Sequence, residues 1–296
     1  RFGLTSYSPE ALAPYFAQAE QRLNITPWLA APNENNELLR RGTTRLGIAS
    51  AVIPRNVKGC WNLGSCGLGC PTNAKQSMLV TTIPAALDLG AQLLTEVRAE
   101  RFELANGKVT ALICRSIEQN SALVQSGRAQ AAIKIVAKHY VLAGGAINSP
   151  AVLLRSGAPD PQGRLGTRTF LHPVVMSSSV FAQKVEAWSG APQSIYTDHF
   201  LQTQPIDGVM GYKLEAPPLH PLIFASTVPG FGQGQHDLLT SFPHNHTLLA
   251  LLRDGFHDDA PGGKVGLRGD DSAVLDYPLS DYVMDGARRA LLSMME

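Results

Sequence analysis

The sequence predicts an α+β fold: a β-meander and a strand–Gly–Gly–helix unit, followed by an antiparallel sheet that carries helices. Three features lead to it. Asn106-Gly107 sits between alternating apolar runs, the strongest short-range hairpin signal. Tyr140, Val141, Leu142 and Ala143 form a short apolar run rich in strand formers, ended by Gly144 and Gly145. Helix signals follow at once: Asn148 or Ser149 as cap, Pro150 in the first turn, Val152, Leu153 and Leu154 as an apolar face, and Gly157 as the stop. Beyond residue 157 the chain becomes richer in Pro, Gly and His, with short strand-like runs between turns.

In chain order, Ser8 and Pro9 open an amphipathic helix over 8–25, with Leu12, Tyr15, Phe16, Ala19 and Leu23 at helical spacing. Tyr15 and Phe16 are expected in the core. Pro27 and Pro32 break this helix, and 36–46 reads as a second one with Leu38, Leu39 and Leu46 inward. Val52 and Ile53 suggest a short strand before a Cys- and Gly-rich loop. The pattern over 78–89 suits a helix that Gly90 stops. Strands are expected over 92–95, 97–104, 109–114 and 133–136, with the polar stretch 118–130 as a loop or ragged hairpin tip. Pro159, Pro161 and Pro173, with Gly163 and Gly166, mark a crossover. Strand-like runs at 174–181, 194–200, 208–214, 246–253, 264–267 and 274–277 suggest the antiparallel sheet. A last helix starts near Ser280 or Asp281, with Met284, Ala287, Leu291 and Leu292 on it.

Composition excludes several classes. With 25 basic and 24 acidic side chains the net charge is +1, so no basic excess points to nucleic acid. Apolar stretches are interrupted within about ten residues, short of the roughly 20 that a membrane span requires. No signal peptide or twin-arginine leader precedes Phe2, which gives a cytoplasmic expectation for a chain that also reads as an excised piece. The chain is expected to be soluble.

Cys60, Cys66 and Cys70 form a C-x₅-C-x₃-C group in the Gly-rich loop, while Cys114 stands in a strand where a buried free thiol is expected. Three readings of the loop stay open: buried structural thiols, a disulfide in an oxidising compartment, and an iron–sulfur cluster wrapped by glycine-rich backbone. A zinc site would want a fourth ligand, and no histidine is close in sequence. His244 and His246 would share a face on a strand, with His257 behind, but no carboxylate or cysteine completes a metal set; surface or core roles are expected. Without a G-x-S-x-G elbow, a serine hydrolase has no anchor.

Two stretches carry a resemblance. Ala143-Gly144-Gly145, Asn148-Ser149-Pro150, Leu153-Leu154 and Ser156-Gly157 resemble the second signature of the glucose-methanol-choline family of flavin-dependent oxidoreductases. Residues 64–79 resemble a segment that lies close to the flavin in a bacterial branch of that family. The resemblance implies a helical segment over 1–59, a partial FAD-binding domain over 60–169 and a truncated substrate-binding domain over 170–296, on which the helical segment packs and whose antiparallel sheet faces the flavin ring. It implies FAD as cofactor, with Ala143, Gly144 and Gly145 in the cofactor turn. Val97 matches a valine whose backbone touches the adenine. The cysteine spacing resembles the three-iron ligand set of some membrane-associated sugar dehydrogenases of the family, which makes Cys60, Cys66 and Cys70 candidate cluster ligands. His172-Pro173, after Leu165-Gly166, resembles a His-Pro with a packing or hinge role.

The family's opening G-x-G-x-x-G is absent here, since Gly64, Gly67 and Gly69 have the wrong spacing. Its catalytic histidine is expected beyond Glu296. The chain therefore reads as the middle of an enzyme, with no catalytic residue and no activity of its own. In the implied parent, a base takes the alcohol proton while hydride passes to flavin N5. The implied partner is a small-molecule alcohol or polyol; its identity and the electron acceptor are not readable. The rival from another class is a non-catalytic binding or interaction module.

Overall fold

A computed structural model describes residues 5–117, 132–258 and 260–296. The elements begin with α1 (Pro9–Arg22), β1 (Ile25–Thr26), α2 (Glu34–Arg45), β2 (Ala51–Val52), β3 (Arg55–Asn56) and α3 (Thr82–Asp88). They continue with β4 (Val97–Ala105), β5 (Lys108–Ser116), β6 (Ala132–Ile135), α4 (Gly145–Arg155), β7 (Val174–Val180), β8 (Ile195–Thr197) and β9 (Tyr212–Glu215). The last are α5 (Pro221–Thr227), α6 (Gly232–Thr240), β10 (Asn245–Leu252), β11 (Lys264–Leu267), β12 (Ala273–Asp276) and α7 (Asp281–Met295). Helix and antiparallel sheet are mixed, as the sequence predicts, and the chain divides into two compact units: 1–91 with 172–253 and 282–296, and 92–171 with 254–281. The cysteine loop thus belongs to the unit that holds the large sheet, and the β11–β12 hairpin to the unit that holds the meander; a division falls at 171/172, next to the one expected at 170, and another at 91/92 rather than at 60.

In the first unit five antiparallel strands lie in the order β2-β8-β9-β10-β7. Period-two alternation puts Tyr212 and Leu214 of β9, and Leu248, Ala250 and Leu252 of β10, on one face. There α7 packs through Val283, Ala287 and Ala290, and α2 through Leu39 against Ile195 and Leu248. A smaller core gathers Val185, Leu219, Phe224 and Phe242, with Trp188 stacked on Phe242 at 4.9 Å.

The start of α2 joins this helix to the sheet. Asn33 caps it by accepting the Asn36 N–H at 3.0 Å. β9 pairs with β10 only over Leu249–Leu252, so the Thr247 backbone has no strand on that side. Asn35 takes the missing strand's place: its Oδ1 accepts the Thr247 N–H at 2.9 Å and its Nδ2 donates to Thr247 O at 3.2 Å. Asn36 Oδ1 accepts the N–H groups of Ser194 and Ile195 at 2.9 and 3.1 Å. Both asparagines are fully buried. His246 Nδ1 lies 2.8 Å from the same Asn35 Oδ1, and since that oxygen can only accept, the ring donates from Nδ1. Burial pushes the His246 pKa down to about 4.

In the second unit β4, β5 and β6 form an antiparallel meander, with Asn106 and Gly107 both at positive φ in the β4–β5 turn. α4 packs on β4 and on the β11–β12 hairpin. Its end is fixed by Arg155, whose Nε donates to Glu100 O at 2.7 Å, and by Ser156, whose Oγ accepts the Phe102 N–H at 2.8 Å.

Several expectations need correction. α1 forms under its Ser8 cap, but Tyr15 and Phe16 are 66% and 55% exposed, because among the described elements the helix packs chiefly on the preceding turn and the two-residue β1. Residues 92–95 form no strand. Neither do Tyr140 to Ala143, where Val141 is 90% exposed: no strand among the described residues lies alongside, so the apolar run has no ladder to join. α4 starts at Gly145 rather than after Asn148, which leaves Pro150 inside it. α5 and α6 were not signalled; they are short, and Gly232 and Gly234 weaken the helical pattern of α6. The stretch 118–130, expected as a loop or hairpin tip, lies outside the described residues.

Two outcomes follow from the α2 junction. Asn36→Ala leaves two buried N–H groups without an acceptor and should lower unfolding free energy in urea by about 3 kcal/mol. For His246 the folded pKa is below the unfolded one, so its contribution is complete above pH 6.5 and is lost as pH falls toward 4. Urea titrations across that window should show a loss of up to about 3 kcal/mol that His246→Gln removes.

Candidate functional site

Gly144 and Gly145 form the turn into α4. A Cβ on Gly144 would lie 3.3 Å from Ser149 N, while Gly145 has φ +80° and open space where a side chain would be. No side chain caps the helix start, and residues 143–148 are exposed. The first-turn N–H groups of α4 are therefore open to an anionic ligand. Ala143 precedes the turn and is exposed.

Val97 opens β4 and stands opposite Ser116. Because Ile117 N–H donates to Glu96 O at 2.7 Å, the neighbouring Val97–Ser116 pair is the non-hydrogen-bonded kind. Its backbone N–H and C=O then point away from β5, to the free side of β4, the outer strand of the meander among the described residues. An adenine-like edge could hydrogen-bond there with no side chain involved. Val97 and Gly145 belong to the same unit. α4 reaches β4 with its C-terminal end, so its open N-terminus lies a helix length away, roughly 16 Å for eleven residues.

The cysteine loop is pinned at its base, where Lys58 N donates to Ala74 O at 2.8 Å and Gln76 N to Asn56 O at 2.8 Å. Asn62 Oδ1 accepts the Ala191 N–H at 2.7 Å. Gly64 lies against the same segment: with φ +73°, a Cβ there would be 2.2 Å from Trp188 O, so no other residue fits. The loop thus packs on the sheet unit, but its thiols are not the buried ones expected. Cys66 and Cys70 are exposed, Cys60 is half-buried, and all four cysteines are free. Among the described residues no three His, Cys, Asp or Glu side chains are placed to share a metal ion, so Cys60, Cys66 and Cys70 are not brought together as a cluster site. His244 closes a helical turn ahead of β10, so it does not pair with His246 on one strand face.

One cluster had no motif. On the sheet face opposite α2 and α7, Tyr196, Glu215, Leu249 and Met176 stand in one cross-strand row. The buried Glu215 carboxylate pairs with Lys213 Nζ at 2.8 Å and accepts from Gln193 Nε2 at 2.7 Å, and Lys213 Nζ lies 4.2 Å from the Tyr196 ring centre. The only sequence signal was the two-residue spacing of Lys213 and Glu215.

Cys70 differs from the other thiols. The Thr72 hydroxyl, 3.3 Å away, and the Ala74 N–H hold it below the usual thiol range, whereas burial pushes Cys114 up. A chromogenic disulfide reagent at neutral pH should therefore label Cys70 first and Cys114 only after unfolding. Thr72→Val should slow the Cys70 reaction several-fold.

A family model described as GMC oxidoreductase matches residues 1–174. An uncharacterised GMC-type oxidoreductase of Mycobacterium tuberculosis strain H37Rv is 31% identical over 254 residues, which is 86% of this chain and 38% of that protein. Long-chain-alcohol oxidase FAO1 of Arabidopsis thaliana is 25% identical over 276 residues, 90% of this chain and 36% of that protein. In structure, pyridoxine 4-oxidase from Mesorbium loti superposes with a TM-score of 0.61 at 16% identity, over 91% of this chain and 52% of that one. The chain thus spans little more than a third of the length of these sequence relatives. With more than half of its residues inside the family model and its fold shared, the chain belongs to the GMC oxidoreductase family.

Proposed function

We propose that this chain is part of a flavin-dependent oxidoreductase that oxidises the CH–OH group of an alcohol, and that it supplies part of the FAD cradle and the substrate-side sheet. The observation that carries the reading is the pair of open backbone sites in one unit, the outward N–H and C=O of Val97 and the uncapped start of α4 at Gly145. Family membership and a relative named as a long-chain-alcohol oxidase support it.

The available groups fit such a cofactor at two points. Val97 would hold the adenine edge through its backbone, and Gly144 and Gly145 would let a phosphate oxygen approach the N–H groups of α4. When bound, FAD would supply the acceptor for a hydride from the carbinol carbon. On the face of the cross-strand row, Met176 and the partly exposed Tyr196 would meet the alcohol, with Glu215 and Leu249 buried beneath. Met176 is half exposed there, while the Lys213 ammonium is tied to Glu215 and to the Tyr196 ring, so the row offers more apolar surface than free charge. No residue of this chain is assigned the base. A cluster on Cys60, Cys66 and Cys70 forms no part of the proposal, because the three sulfurs do not converge.

FAD titrated into the purified chain should bind weakly, by flavin fluorescence, and AMP should compete for it. Gly145→Val, which puts a branched side chain at φ +80°, should weaken binding at least fivefold without melting α4. The chain as purified should be colourless and give no alcohol-dependent dye reduction. Absence of AMP competition, or indifference to Gly145→Val, overturns the assignment of these residues to the cofactor.

A further inference from the structure

β7 ends one side of the large sheet, and among the described residues no strand lies beyond it. Leu252 N–H donates to Pro173 O and Phe181 N–H to His244 O, each at 2.9 Å, so Val175, Ser177 and Ser179 exchange their bonds with β10. The alternate residues Val174, Met176, Ser178 and Val180 therefore aim their N–H and C=O groups at the open edge, where no described residue bonds them. Of their side chains, Val174, Met176 and Val180 are 46%, 50% and 61% exposed. A bare edge attracts another strand, and proteins guard against this with charge, proline, bulges or short length. The other long outer strand, β4, has such guards: it carries Arg98, Glu100, Arg101 and Glu103, and its register against β5 shifts twice. β2, at the far side of the large sheet, has two residues and is followed closely by Pro54. β7 has none of these. Over seven residues, Val-Val-Met-Ser-Ser-Ser-Val carries no charge and no proline, and it keeps one register with β10.

We infer that β7 is an interface between two copies of this chain, which pair edge to edge and antiparallel about a twofold axis at Ser177. In that register Val174 stands opposite the partner's Val180 and Met176 opposite the partner's Ser178, so every outward N–H and C=O of both strands meets its complement. Three features favour a second copy over another occupant. The strand is neutral along its length, so its copy brings no like charge across the axis. Its exposed valines meet each other, which removes apolar surface on both sides. A head-to-tail contact would have to use β2, which is too short to match seven residues, so the pairing closes as a dimer. The interface involves neither Val97 nor the start of α4 and needs no cofactor, so it can fail while the flavin reading holds.

Sedimentation of the flavin-free 296-residue chain over a dilution series should show reversible dimerisation. Two double variants test the register. Val174→Lys with Val180→Lys sets like charges opposite each other at both ends of the interface and should weaken the dimer about tenfold or more. Val174→Lys with Val180→Glu sets opposite charges there and should restore much of the affinity. The two positions lie about 20 Å apart along one strand, so the rescue can come only from across the axis. Both side chains are exposed, so both variants should melt like the unaltered chain. Amide hydrogen exchange gives a second readout: Met176 and Ser178 should be protected only at concentrations where the dimer forms, while β10 keeps Val175 and Ser177 protected throughout. A monomer at every concentration, growth into open polymers, equal dimerisation of the two double variants, or Met176 and Ser178 amides that are protected in the monomer or unprotected in the dimer would each overturn the inference.

Discussion

Much of the first unit depends on two buried asparagines that complete a sheet from outside it. β9 is too short to pair with all of β10, and a gap in the middle of a covered sheet would strand peptide groups away from water. Asn35 fills that gap with its side-chain amide, which donates and accepts as a strand backbone does, and Asn36 Oδ1 accepts the Ser194 and Ile195 N–H groups at the start of β8. Because those bonds have fixed directions, they set where α2 crosses the sheet. The position of α2 then decides which residues of β10 are covered, how His246 is oriented and how much space remains beside α7.

The same arrangement gives the sheet two different faces. One is closed by α2 and α7 through Leu39, Val283, Ala287 and Ala290. The other keeps Met176 half exposed and confines its charge to a Lys213–Glu215 pair braced by Gln193 and Tyr196. Burying a carboxylate is costly unless it is bonded, and here both oxygens have partners, so the pair is fixed in place rather than free to meet a solute.

The second unit follows a different logic, in which some backbone groups are left unpaired among the described residues. β4 is an outer strand, and α4 begins on a glycine with no capping side chain. Both features expose N–H groups that most folds would satisfy internally. The cysteine loop shows the converse. Gly64 and Asn62 are used in packing against Trp188 and Ala191, while Cys66 and Cys70 are left exposed and Cys60 half-buried.

By itself the sequence determined what local pattern can carry: the Asn106-Gly107 hairpin, the Ser8 cap, the stop at Gly157, the strands of the sheet and the family to which the glycine turn belongs. It also marked Gly144 and Gly145, since a turn next to a helix start is written in residues close together. Tertiary structure decided the rest. Tyr15 and Phe16 have the spacing of a core face, but no neighbour arrives to cover them, and Tyr140 to Ala143 have strand composition without a strand beside them. Val97 offers its backbone, which leaves no mark in side-chain identity, and only the register with Ser116 reveals it. Asn35 meets Thr247, and Asn36 meets Ser194, across more than 150 residues of chain. Periodicity reports which side of an element is apolar, but a contact of that separation depends on how elements pack, and packing is a property of the whole fold.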